Sequence, residues 1–120
     1  MGNPLSHWEL MVSDVEQAKA FYTKVFDWEL IDSGMKGYWF IQTGKEPGGG
    51  MMAKPPQAPA FALSQYFLVD SIDETLEKVT AAGGTVVVPK TEISKEIGCW
   101  AGFTDPDGIY VGIFEEPGKA

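Results

Sequence analysis

The sequence contains no arginine, so all nine of its basic residues are lysines, set against seventeen acids for a formal net charge of -8. Duplex binding rests on basic contacts to phosphate, and guanine is most often read by arginine. The charge balance therefore argues for no nucleic-acid partner, and equally against docking on an anionic membrane. Lysine offers an anion only a point charge, which disfavours tight bidentate capture of phosphate or carboxylate. An acidic surface suits neutral or cationic partners, and it suits plain solubility equally well. Cysteine is as scarce: Cys99 stands alone, which excludes an intramolecular disulfide framework and a cysteine-based zinc site. No apolar run approaches the roughly 18 residues of a membrane helix, so no membrane partner is expected. The start, Met1-Gly2-Asn3-Pro4-Leu5, has no basic region followed by an apolar stretch, and a cytoplasmic location is the expectation.

What is present is ordinary globular material. With 120 residues, 44% apolar and 22% charged, the chain is long enough for one domain or for two small modules sharing a core. An internal repeat favours two modules within a single domain, 1–120. Val12-Ser13-Asp14-Val15-Glu16 aligns with Val69-Asp70-Ser71-Ile72-Asp73 at an offset of 57. The same offset places Leu10 on Phe67, Tyr22 on Val79 and Leu30 on Val87. Further along, Gly37-Tyr38-Trp39 lies beside Gly98-Cys99-Trp100 at an offset of 61, so the second half carries about four extra residues, expected as loop near Lys90 to Ile97.

Each half reads strand, helix, then three strands. His7–Val12 alternates as a strand, and Ser13 with Glu16 has the spacing of a capping box opening a helix. Val15, Ala18, Phe21, Tyr22, Val25 and Phe26 form one apolar helical stripe. Trp28–Asp32, Tyr38–Thr43 and Gly50–Ala53 complete the first module, 5–58. In the second, 61–116, Leu63–Val69 is a strand and Ser71 with Glu74 repeats the capping spacing. Ile72, Leu76 and Val79 make the buried stripe, and Gly83-Gly84 stops the helix. Thr85–Val88, Trp100–Thr104 and Ile109–Phe114 follow, the last two joined by the turn Asp105-Pro106-Asp107-Gly108. Lys45 to Pro59, rich in glycine and proline, reads as loop, short strand and linker. The fold class is α+β, with two βαβββ modules in tandem forming curved mixed sheets around a central cavity.

A helix covers only one face of a sheet, so the other face is available to line that cavity. Strand alternation assigns Trp8, Leu10 and Val12 to the helix side and His7, Glu9 and Met11 to the cavity. The second module sends Ser64, Tyr66 and Leu68 inward, then Tyr110, Gly112 and Phe114, with Ile109, Val111 and Ile113 on the helix side. Trp39 and Trp100 are further aromatics able to frame a ligand or to serve as core. Cys99, with no second histidine to activate it, reads as an inert thiol. Met51-Met52 reads as core or dimer contact, and Gly48-Gly49-Gly50 lacks the lysine and hydroxyl of a phosphate loop.

These motifs resemble the vicinal oxygen chelate superfamily, which includes glyoxalase I, extradiol dioxygenases and bleomycin resistance proteins. The residues that carry the resemblance are His7 seven positions before Asp14 and the run Ala20-Phe21-Tyr22-Thr23-Lys24-Val25-Phe26-Asp27-Trp28. Val69-Asp70 thirteen residues before Gly83-Gly84, and Asp105-Pro106-Asp107-Gly108, extend it over nearly the whole chain. The resemblance implies paired βαβββ modules, packed within one chain or exchanged across a homodimer. It also implies a divalent ion held by His, Glu or Gln side chains on the first and last strand of each module. Carried over, those positions are His7, a residue from Gly50 to Met52, Ser64 and Gly112. Only His7 matches; glycine has no side chain, serine is a poor ligand and methionine is too soft for the usual ions.

Three functions remain open at this point. The first is a glyoxalase- or bleomycin-resistance-like protein that binds a small organic molecule without a catalytic metal, contacting it with His7, Glu9, Ser64, Tyr66, Trp100, Tyr110 and Gly112. No cofactor is expected on that reading. The second is an enzyme of the lactoylglutathione lyase type, or an isomerase or dioxygenase, using His7 with Ni, Zn, Fe or Mn. A metal-free variant of it uses His7 or Glu9 as general base. The third is a non-enzymatic interaction module. A homodimer is expected in each case.

Overall fold

A computed structural model describes residues 2–54 and 63–118. Residues 55–59 of the linker expected from the sequence lie outside the described residues, as do the last residues of the first module and the first of the second. The chain divides into two compact modules, His7–Ser64 and Gln65–Ala120, the latter taking Met1–Ser6 with it. Those first residues run beside the fifth strand: Leu68 N donates to Pro4 O at 2.9 Å, and Ser6 Oγ donates to Tyr66 O at 3.3 Å.

In the first module, β1 (Leu5–Val12) leads into α1 (Val15–Phe26), then β2 (Glu29–Asp32), β3 (Tyr38–Gln42) and β4 (Gly49–Ala53). The strand order is β2-β3-β4-β1, with β1 and β4 parallel and the other pairs antiparallel. The second module repeats it: β5 (Leu63–Leu68), α2 (Ile72–Ala81), β6 (Thr85–Ser94), β7 (Gly98–Thr104) and β8 (Tyr110–Glu115), in the order β5-β8-β7-β6 with β5 and β8 parallel. Both modules are βαβββ, as the internal repeat predicts.

Local chemistry explains the boundaries, and corrects three expectations. The cap of α1 is Asp14, not Ser13: its Oδ1 accepts from Gln17 N at 3.1 Å. Aligning the repeat points the same way, because Asp14 stands opposite Ser71, whose Oγ caps α2 by accepting from Glu74 N at 3.2 Å. The stripe on α1 is only partly covered, since Phe21, Val25 and Phe26 remain 56%, 53% and 57% exposed. The expected loop after Val88 is instead a continuation of β6 to Ser94, its extra residues taken up at register shifts against β7. Ile109, expected on the helix side of the last strand, precedes β8 and is exposed. Its amide donates to Asp105 Oδ1 at 2.9 Å, so the residue belongs to the turn. That turn closes as the sequence predicts, with Gly108 N donating to Asp105 O at 2.9 Å.

The second module has a small aliphatic core of Val69, Ile72, Ala101 and Ile113, flanked by Leu76, Cys99 and Phe103. Odd positions of β7 and β8 therefore face α2, and even positions face away. Glu115 joins three elements: Oε1 accepts from Ile72 N at 2.7 Å, at the first turn of α2, while Oε2 lies 3.9 Å from Lys90 Nζ on β6. Lys90 also reaches Asp73 at 3.5 Å; Glu115 and then Asp73 raise its pKa above the ordinary lysine value. In the first module Ile41 and Met51 are buried, and α1 is held by rings. Tyr22 stacks on Trp28 at 4.9 Å and 14°, and Trp28 also meets Trp8 and Phe26, each at 5.2 Å. No helix is long and apolar enough to cross a membrane among the described residues.

Candidate functional site

In the first module Trp8 points to α1, so strand alternation turns His7, Glu9 and Met11 to the opposite face, as expected. There His7 Nε2 lies 2.7 Å from Tyr38 Oη, with the two rings at 6.4 Å and 25°. The geometry depends on Gly50. A Cβ at that position would collide with the Tyr38 hydroxyl and ring, so only glycine leaves Tyr38 room to lie across β4 and meet His7. Burial pushes the His7 pKa below its ordinary value. The imidazole is thereby favoured neutral, with one N–H to give and one lone pair to receive, and a phenol answers either tautomer. Glu9 stands beside Gly50 in register and is half-buried.

Tyr38 was not among the residues singled out in the sequence; its neighbour Trp39 was. Trp39 faces α1 instead, under Lys19 Nζ at 5.4 Å from the ring centroid. The signal was available in β3 itself. Ile41 is buried core, and counting back by two from it puts Trp39 on the helix side and Tyr38 on the other.

The second module gathers Tyr66, Trp100, Tyr110 and Gly112 on the face away from α2. Tyr66 and Gly112 are register partners across the parallel pair, and the Tyr66 ring covers the glycine, 2.5 Å from where a Cβ would stand. Trp100 meets Tyr66 edge-on at 6.2 Å and 74°. Tyr110 reaches over Gly102 with its hydroxyl end, in a space that a Cβ would fill. Ser64 is buried at the start of β5. Cys99 points the other way, half-buried against the α2 core. A groove of about 500 Å³ beside α2, lined by Leu76, Glu77, Thr80 and Val86 among others, is wide open to solvent.

Register shows that Gly50 and Gly112 hold equivalent places. Gly50 pairs with Glu9 across β1 and β4, and Gly112 pairs with Tyr66 across β5 and β8. In each module the space next to that glycine is filled by a tyrosine ring. The four positions that the resemblance assigns to an ion thus offer one imidazole, one hydroxyl and glycines under rings. As a donor set they do not fit a resident divalent cation. Among the described residues no group of three or more His, Cys, Asp or Glu side chains is placed to hold a metal.

Paired βαβββ modules with mixed sheets and one helix each define an α+β protein of the vicinal oxygen chelate fold. The chain belongs to the Glyoxalase/Bleomycin resistance protein/Dioxygenase superfamily, whose family model matches residues 5–113. It is 31% identical over 114 residues to a putative glyoxylase of Mycobacterium bovis, a match covering 89% of this chain and 43% of that protein. The chain therefore spans less than half the length of that relative. A glyoxylase-like domain-containing protein of Didymella fabae is 28% identical over 122 residues, covering 96% and 95% of the two chains. Among solved structures, a hypothetical protein from Bacillus halodurans C-125 superimposes with a TM-score of 0.75 at 17% identity, over 100% of this chain and 99% of the other.

Proposed function

We propose that the chain binds a small organic molecule on the tyrosine-bearing faces of its modules and carries no resident catalytic metal. The observation that supports this most directly is the hydrogen bond between His7 and Tyr38, which commits the chain's one histidine to a phenol. Tyrosine rings over Gly50 and Gly112 support it further, since they take the room that ion-holding side chains would need. What is left on those faces is aromatic area with polar tips, the usual lining of a small-molecule site. Metal analysis of dialysed protein tests the reading. The expected result is Ni, Zn, Fe and Mn well below one equivalent, and a melting temperature unmoved by chelator. One equivalent of metal, lost in His7→Ala, would overturn it.

A second reading is metal-independent proton transfer on a bound carbonyl compound. It is favoured by the same pair, a neutral imidazole touching a phenol. Its mark is turnover that His7→Gln abolishes while ligand affinity is retained.

A further inference from the structure

We propose that the ligand has a planar unsaturated ring and no anionic group, and that it lies on the aromatic platform of the second module. This rests on the reading above that the chain binds a small organic molecule. Tyr66 and Tyr110 lie over Gly112 and Gly102, Tyr66 with the carbons of its ring and Tyr110 with its hydroxyl end, in the space that a Cβ would take. Glycine permits this because a Cβ at either position would meet the ring. Trp100 stands edge-on to Tyr66 and walls the platform. Rings pinned in this way give a flat partner large contact area with little side-chain entropy left to lose.

Charge sets the rest. The even positions of β7 and β8 carry Trp100, Gly102, Thr104, Tyr110, Gly112 and Phe114, none of them ionised at neutral pH. The one carboxylate of β8, Glu115, turns to α2. Among the described residues Lys90 is the sole lysine in a strand, and it is tied to Asp73 and Glu115. With no arginine in the chain, the described strands offer no further side-chain cation to an anionic ligand. A bound carboxylate would be stripped of water and left without a counter-charge.

Calorimetric titration with four probes of matched size tests this: 2-naphthol, 2-(aminomethyl)naphthalene, 2-naphthoate and the non-planar decahydro-2-naphthol. The expected result is measurable binding of naphthol and the amine, with naphthoate and decahydronaphthol each weaker by about tenfold or more. Gly112→Ala, whose Cβ displaces Tyr66, is expected to weaken naphthol to a similar degree. Tyr66→Leu gives the same readout without adding a clash, should the glycine variant fail to fold. Naphthoate binding as tightly as naphthol overturns the charge assignment, and decahydronaphthol doing so overturns planarity, while either leaves small-molecule binding intact. Unchanged naphthol affinity in Tyr66→Leu overturns the platform. Silence from all four probes overturns both this inference and the binding reading beneath it.

Discussion

Helix α2 reaches its sheet through Ile72, fully buried with Val69, Ala101 and Ile113, whereas α1 buries no residue completely and leans on a stack of Tyr22, Phe26, Trp28 and Trp8. The same βαβββ plan is thus closed by aliphatic packing in one module and by ring contacts in the other. The difference matters energetically. Complete burial of an isoleucine is worth about 2–3 kcal/mol, while a ring pair adds about 1 kcal/mol beyond the area it covers. Rings also bind one another sideways, so a helix held by them leaves apolar edges in water, as Phe21, Val25 and Phe26 do.

The contrast breaks most visibly at its extremes. Ile72→Ala is expected to cost about 2–5 kcal/mol in denaturant unfolding, because the side chain is 0% exposed and the core cannot collapse around the gap. Phe26→Ala, at 57% exposure, is expected to cost no more than about 1 kcal/mol; equal losses would mean that α1 is as tightly docked as α2. A smaller effect sharpens the comparison at the helix starts. Asp14→Ala and Ser71→Ala each remove a side-chain cap, expected to cost about 1 kcal/mol. Ser71→Ala is expected to be the milder of the two, since Glu115 still holds the amide of Ile72. The smallest effect is in pH. The folded pKa of His7 lies below the unfolded value near 6.5, so the unfolded chain takes up the proton first. Stability from this group is complete above about pH 6.5 and falls as the pH drops toward the folded pKa. His7→Gln is expected to flatten that part of the stability profile, and an unaltered slope would place the dependence elsewhere.

Much of this was legible in the residues because strands have a period of two. Alternation alone places His7 and Glu9 opposite Trp8, and Tyr66 and Tyr110 on the face away from α2. The same counting, applied to β3 from the buried Ile41, separates Tyr38 from Trp39; without it only Trp39 is singled out. Period alone also misses a bulge, so β6 was cut short at Val88 where its register slips against β7. A helical stripe says which residues share a side, not how much of that side is covered, so the exposure of Phe21, Val25 and Phe26 is not legible from it. The glycine cradles were least legible of all. Nothing in the string of letters announces that Gly50, Gly102 and Gly112 are empty for the sake of a ring on a neighbouring residue or strand.

The carboxylate of Glu115 on the first amide of α2 has a consequence for how the chain is made. Ribosomal synthesis delivers Ile72 long before its acceptor, which follows 43 residues later. Until then a nascent α2 has only Ser71 to tie down its opening turn, so this helix gains its full anchorage after β8 has left the exit tunnel and paired with β5.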